Sequence, residues 1–361
     1  MDILLSHTTA LEALRTWGAR GPIGTGAAPA PEVPEKVPLQ AELLARIGDN
    51  DLLASLSRPL HLLATRTRGS RRTALVHEHL QSGPLPGGSV IRLAPGLCCI
   101  APEELAVEMS LSLTLLELVV LLSELMGLYA ICPSCRKGMY QRERPLMTPE
   151  SLLSHLDALG TRRGTRLVRR ALAMACVRSG SPRETKLALR LSLKPSLGGY
   201  GLHVLSMNEP LEVRRIHDRM QRGVRRPDIL VAGPERPGQE RKVAAVEYNG
   251  VDHDAPERIA EDANRTNELV AIDVPEFIVR REQYRDLAYM DGLVERIREK
   301  LGIARPAAGP ERRRRLRRAR WELYLELERI DGVTWGGRER ERARAGTGAW
   351  DVVPTEAYGL D

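Results

Sequence analysis

The sequence predicts a mixed α/β fold of the α+β kind, and three observations lead there. Apolar, β-rich segments recur in the C-terminal half, at Asp228–Ala232, Lys242–Tyr248 and Glu276–Arg280, with helical segments between and after them. The N-terminal half is mainly helical in pattern, with a small β element at Ser89–Leu93. The chain has 361 residues, 42% hydrophobic and 28% charged, enough for two or three domains with a real core.

Composition narrows the function classes. Lys and Arg number 54 against 47 Asp and Glu, a net charge of +7 that favours polyanionic partners where it is locally concentrated. Aromatic residues are 4% of the chain and Phe277 is its one phenylalanine, which argues against a base-stacking platform. Five cysteines at this length read as reduced thiols of a cytoplasmic protein rather than a disulfide framework. Asp2 stands where a secretory signal carries basic residues. The most apolar stretch, 111–131, contains Glu117 and Glu124, so no membrane partner is expected.

Along the chain, residues 1–20 hold a short helix, with Thr9 and Glu12 at capping-box spacing, and 21–38 form a Gly/Ala/Pro-rich linker. Residues 39–145 form the mainly helical region, in which 101–128 reads as one or two buried helices opened by Pro102-Glu103-Glu104. A basic helical connector follows at 146–180, then an α/β region at 181–302, then an Arg-rich tail at 303–361 expected to be partly disordered. In that tail, residues 312–320 contain seven arginines, and Trp321–Ile330 has an amphipathic pattern.

Positive charge concentrates in two further places. Residues 162–194 hold ten basic side chains and one acid, Glu184; Arg163, Arg166 and Arg170 share one helical face. Residues 214–226 hold six arginines and one acid, Asp218. A charge run of this kind is either a solvated helix face or a phosphate-contacting surface, and the lack of local carboxylates favours the second. Arg163, Arg166, Arg170, Arg222, Arg226 and Arg265 are the candidate nucleic-acid contacts.

The candidate chemistry lies in the α/β region. If Ala232 and Lys242 flank the loop between two antiparallel strands, Asp228 falls opposite Val246 and within about one residue of Glu247. Two carboxylates at one sheet edge repel unless a divalent cation lies between them, and oxygen-ligated Mg²⁺ (or Mn²⁺) suits that donor set. Alternation places Ala245, Glu247 and Asn249 on one face, with Val246 and Tyr248 on the other. The alternatives are a turn aspartate paired with an arginine for Asp228, an ordinary helix carboxylate for Glu184 and a solvated loop histidine for His253.

The segments Ser181-Pro182-Arg183-Glu184-Thr185-Lys186-Leu187, Arg226-Pro227-Asp228 and Val246-Glu247-Tyr248-Asn249-Gly250-Val251-Asp252-His253 resemble the PD-(D/E)XK nuclease superfamily. They are most similar to its very-short-patch-repair endonuclease-like branch. The resemblance covers about residues 180–302 and implies a restriction-endonuclease-like mixed sheet flanked by helices. It implies an acid on a helix (Glu184), a metal-binding Asp at a strand start (Asp228), a second metal-binding acid (Glu247) and a histidine beside the scissile phosphate (His253). The polar segment Glu261–Asn267, which includes Arg265, resembles that branch as well. Asn249 stands where the superfamily usually has a lysine, and an amide can hold a water but brings no positive charge. The N-terminal half, including Arg58-Pro59-Leu60-His61, weakly resembles abortive-infection antitoxins of the AbiEi type.

Cys132-Pro133-Ser134-Cys135 has half-site zinc spacing. Cys98-Cys99 or His77 and His79 would have to complete it, and a pair of reduced thiols is the simpler expectation. The function expected is a Mg²⁺-dependent endonuclease hydrolysing DNA. The alternatives are a catalytically inactive, nuclease-fold DNA-binding regulator of abortive-infection antitoxin type and an enzyme acting on RNA.

Overall fold

The computed structural model describes residues 2–18, 32–66, 72–214, 222–250, 268–269, 271–305 and 308–341. The chain divides into two compact units, the first built from Met1–Met126, Ala130–Ala173 and Trp335–Arg340, the second mainly from Met174–Thr334 with Gly127–Tyr129. The division falls between Ala173 and Met174, inside the stretch read as a basic connector. Both units mix helices and sheet, so the α+β expectation holds at that level. No described helix is long and apolar enough to cross a membrane.

The first unit contains much more sheet than the small element expected. It opens with β1 (Ile3–Leu5) and α1 (His7–Gly18), then α2 (Gln40–Gly48), α3 (Asp51–Ser55), β2 (Leu60–Ala64), β3 (Val76–Leu80), β4 (Val90–Ala94) and β5 (Leu97–Ile100). The five strands form one sheet in the order β3-β2-β1-β5-β4. The β1–β5 and β2–β3 pairs are parallel; β1–β2 and β4–β5 are antiparallel. β1 and β5 are buried along their whole length, so neither carries the polar alternation that marks a half-exposed strand. Thr9 and Glu12 do not cap α1, which begins two residues earlier. Thr9 Oγ1 instead accepts from the His61 amide at 2.9 Å, and a Glu12 oxygen from the Ser57 amide at 2.8 Å.

The apolar stretch after β5 forms two helices, α4 (Pro102–Met109) and α5 (Leu115–Leu125). Pro102 occupies the first turn of α4, where its missing N–H costs nothing. Thr114 starts α5 through a capping box with Glu117, closed by bonds of 3.0 and 3.1 Å. The acids that argued against a bilayer are buried and paired: Glu117 also takes the Gly337 amide and the Arg340 guanidinium, at 3.1 and 2.9 Å. Glu124 accepts from Nε and Nη2 of the buried Arg15, at 2.7 and 2.6 Å, and from the Ile131 amide at 3.1 Å. A short β6 (Tyr129–Ile131) pairs with β7 (Met139–Gln141); α6 (Pro149–Leu159) and α7 (Thr165–Leu172) follow.

The second unit begins with α8 (Pro182–Ser192), whose cap Ser181 accepts from the Glu184 amide at 3.1 Å. Then come β8 (His203–Ser206), β9 (Leu211–Arg214), β10 (Arg222–Arg225), β11 (Ile229–Ala232), β12 (Val243–Asn249) and β13 (Glu276–Arg280), and helices α9 (Arg281–Arg285), α10 (Leu287–Leu301) and α11 (Pro310–Arg329). Four strands make a mixed sheet in the order β13-β12-β11-β8, while β9 and β10 form a separate antiparallel ribbon. β11 runs antiparallel to both neighbours, and β13 runs parallel to β12. Leu230 and Ala245 on one sheet face pack with Val213, Leu269 and Val274.

On α8, Arg190 is 1% exposed, lies over the rings of Tyr284 and Tyr324 at 4.6 and 5.2 Å, and donates to the Tyr284 carbonyl. α11 packs on α8 and on the turn at 195–197. Gly198 follows that turn at φ +83°, and a Cβ there would collide with the Ala319 carbonyl, so the approach of α11 requires glycine. Much of the Arg-rich segment is therefore helix within the second unit.

Because Arg15 neutralises a carboxylate that is 1% exposed, Arg15→Ala should destabilise the protein by about 3–5 kcal/mol. Urea denaturation reads this directly; a change under about 1 kcal/mol would mean that Glu124 is satisfied without the arginine.

Candidate functional site

The hairpin register sets the site. Ala232 pairs with Val243 and Ile229 with Val246, one residue away from the register the sequence suggested. Continued by one step, it sets Asp228 directly opposite Glu247 rather than opposite Val246. The one-residue difference arises because Lys242 lies in the loop, with its carbonyl accepting from the Gly233 amide at 2.9 Å.

Each carboxylate then reaches across to the other strand. The Asp228 amide donates to Glu247 Oε1 at 3.2 Å, and the Tyr248 amide donates to Asp228 Oδ2 at 2.8 Å. Glu247 is 8% exposed and follows three fully buried residues of β12, 244–246. A carboxylate removed from water to that degree needs donors or a cation, and backbone amides supply part of that requirement.

Glu184 is the third acid. It lies in the first turn of α8, which packs against β8 and β12, and its Oε2 accepts from the Gly180 amide at 2.7 Å and from Asn208 Nδ2 at 2.8 Å. Burial, followed by the negative charge of Asp228, pushes its carboxyl up to about 7 despite those donors. Asn249 is exposed at the end of β12, in register with Arg280 on the parallel neighbour β13. By alternation Glu247, Asn249 and Arg280 share one face of the sheet. Arg280 was not among the residues singled out from sequence, because only the β12–β13 register joins it to the acids. His253 and Arg265 lie outside the described residues, as does most of the polar segment around them.

The basic stretch at 162–194 differs from its reading as uncompensated charge. Arg162 is held by Glu104 at 2.7 Å, Arg169 by Asp157 at 2.6 Å and Arg178 by Glu209 at 2.7 Å. Arg183 meets Glu328 at 2.6 Å, with Lys186 at 3.8 Å from the same carboxylate. The compensating acids come from other parts of the chain, which a local count misses. Arg163, Arg166 and Arg170 are exposed on or beside α7 in the first unit, and Arg226 is exposed in the second. Arg222 lies in β10.

The cysteines also depart from expectation. Cys132 and Cys135 form a disulfide rather than a pair of reduced thiols, across a tight turn that brings their Cα atoms to 5.3 Å. Cys98 and Cys99 are free and buried on β5, which β1 and β2 separate from the histidines of β3. Among the described residues, no group of three or more potential metal ligands includes Cys132 or Cys135.

A different cluster forms instead. His7, His61 and His79 place one ring nitrogen each within 4.8 Å of the others. His61 Nδ1 and His79 Nε2 are 2.9 Å apart, and the His7 ring stacks on His79 with centroids 3.8 Å apart. Burial, then the neighbouring imidazoles, pushes His7 well down and His79 down to about 4. The alternation of His77 and His79 along one strand was the available sequence signal; His7 and His61 join only through the sheet order.

Glu184 titrates above the ordinary carboxylate range, so the folded protein binds a proton there that the unfolded chain has released. That contribution is present below about pH 4.5 and is lost as pH rises toward 7. Glu184→Gln should therefore gain about 1–3 kcal/mol relative to wild type between pH 4 and pH 8. Urea denaturation at the two pH values measures it, and an equal difference at both would contradict the assignment.

Comparison with protein-family models, curated proteins and solved structures finds no match to this chain.

Proposed function

We propose that the second unit is a metal-dependent nuclease domain hydrolysing phosphodiester bonds of DNA. The observation that carries the reading is the facing pair Asp228 and Glu247, each bonded to the other's strand, with Glu184 half-buried in the field of Asp228. An acid on the helix before the sheet, an aspartate at a strand start and a glutamate on the next strand are the arrangement that the PD-(D/E)XK resemblance calls for. The donor set is all oxygen, which suits Mg²⁺ or Mn²⁺.

Asp228 and Glu247 would hold the ion, with Glu184 able to add a carboxylate from the helix side. A bound Mg²⁺ would polarise the phosphate and lower the pKa of a coordinated water. Glu184, high enough in pKa to exchange a proton near neutrality, is suited to general acid–base work. Asn249 can orient a water, and Arg280 on the same face is the cation in register with it, where the superfamily pattern has lysine. His253 keeps the role that the resemblance implies for it, beside the scissile phosphate. The exposed Arg163, Arg166, Arg170 and Arg226 supply phosphate contacts, with Arg222 and Arg265 as further candidates. A cytoplasmic enzyme fits this reading.

One observation favours a second reading. Both strand carboxylates already accept a backbone amide, and the usual lysine is absent, as a DNA-binding regulator that has lost its chemistry would allow.

Nicking of supercoiled plasmid with Mg²⁺ or Mn²⁺ separates the two. Wild type should nick, Asp228→Ala and Glu247→Gln should lose at least about 100-fold in rate, and DNA affinity should change by less than about threefold. Reversing Arg163, Arg166 and Arg170 to glutamate should instead weaken binding and flatten its log–log salt dependence by roughly 3, at about 0.9 per phosphate contact. Salt-dependent DNA binding without nicking in either metal would favour the regulator.

A further inference from the structure

We infer that His7, His61 and His79 form a site for one divalent transition-metal ion, Zn²⁺ foremost, held by three imidazole nitrogens and completed by water. The site lies wholly in the first unit and is independent of the nuclease reading.

Three features set the cluster apart from histidines that merely fill a core. The first is convergence. A tetrahedral ion with Zn–N distances of ~2.0–2.1 Å separates its ligand nitrogens by roughly 3.4 Å. The three nitrogens here lie within 4.8 Å of one another and His61 Nδ1 and His79 Nε2 are 2.9 Å apart, while the His7 ring, stacked on His79 at 19°, has to turn to aim its nitrogen at the same ion.

The second is the shell behind the ligands. His7 Nδ1 faces Glu108 Oε2 at 3.3 Å and Ser6 Oγ at 3.1 Å, and the His7 amide donates to the same Glu108 oxygen at 3.2 Å. A carboxylate behind one ring nitrogen fixes the tautomer and turns the other nitrogen, Nε2, toward the cluster, which is how metal-bound imidazoles are commonly oriented. On β2, the His61 amide is tied to Thr9 Oγ1, fixing that strand against α1. His7 itself is held at φ +49°, an unusual conformation for a residue other than glycine, at the junction of β1 and α1.

The third is an under-bonded carboxyl. Glu108 is 5% exposed, and its Oε1 has no hydrogen-bond partner among the described residues. A buried carboxyl in that state calls for donors, and an ion on Nε2 would hold the His7 proton on Nδ1, facing it. Imidazole donors select Zn²⁺, Cu²⁺ or Ni²⁺ over Mg²⁺, so this site and the oxygen-lined pair in the second unit would sort different ions. His77 meets His61 edge-on at 5.1 Å and stands outside the group of three.

The test is metal retention by the full-length chain after dialysis against Zn²⁺ and removal of weakly held ion, counted by elemental mass spectrometry. Wild type should keep one Zn²⁺ per chain. So should His77→Gln and the double variant Cys132→Ser/Cys135→Ser, while His61→Gln and His79→Gln should keep less than about a tenth of that. Zinc should raise the wild-type melting temperature and leave His79→Gln unchanged. Should the histidine variants fail to fold, Co²⁺ in wild type decides: tetrahedral d–d bands without a thiolate charge-transfer band support the site. No stoichiometric zinc in wild type, full retention by folded His79→Gln, loss in the cysteine variant, or a thiolate band would each overturn it.

Discussion

A carboxylate taken out of water must find donors or an ion, and most of the informative contacts here follow from that requirement. In the first unit Glu124 takes the whole fork of Arg15, and Glu104, fully buried, takes His155 at 2.9 Å and Arg162 at 2.7 Å. In the second, Glu268 takes Arg225 at 2.7 Å. These pairs are closed: each acid has a cation of its own, set by residues far apart in sequence. Glu108 and Glu184 differ: the first takes the amide and imidazole of His7, the second the Gly180 amide and Asn208, and backbone amides reach Asp228 and Glu247 as well.

The distinction separates structural charge from candidate chemistry. A bidentate arginine fixes a carboxylate as an anion and occupies its lone pairs, leaving little to offer a ligand. An acid held by one or two neutral donors keeps coordination capacity and titrates within the range where protons move. Glu108 and Glu184, pushed up to about 8 and about 7, are in that condition, in both cases by burial first and a neighbouring carboxylate second. Each also lies beside groups able to bind metal, nitrogen donors in one unit and oxygen donors in the other.

Legibility in the sequence followed the same physics. The strands at 229–232, 243–249 and 276–280 were readable because each is a short apolar or β-branched run bounded by turn residues. β1, β2 and β5 were not, since short segments buried on both faces lack a period that separates them from helix. Asp228 and Glu247 were placed on neighbouring strands from pattern alone, with the register wrong by one residue at Lys242. The basic run at 162–194 misled because its partners, Glu104, Asp157, Glu209 and Glu328, lie outside the window in which charge was counted. Histidines from β2, β3 and the start of α1 meet only after the sheet has formed, so spacing could not reveal them.

The central claim is that Asp228 and Glu247 together hold one oxygen-ligated divalent ion. Mn²⁺ titration of the full-length protein followed by electron paramagnetic resonance, in which bound Mn²⁺ loses the signal of the free ion, tests it without requiring substrate or turnover. One Mn²⁺ per chain in wild type, displaced by excess Mg²⁺ and absent in folded Asp228→Asn, is the result expected. Undiminished Mn²⁺ binding by Asp228→Asn, or none by wild type, would contradict it and leave the two carboxylates as a backbone-bonded strand pair.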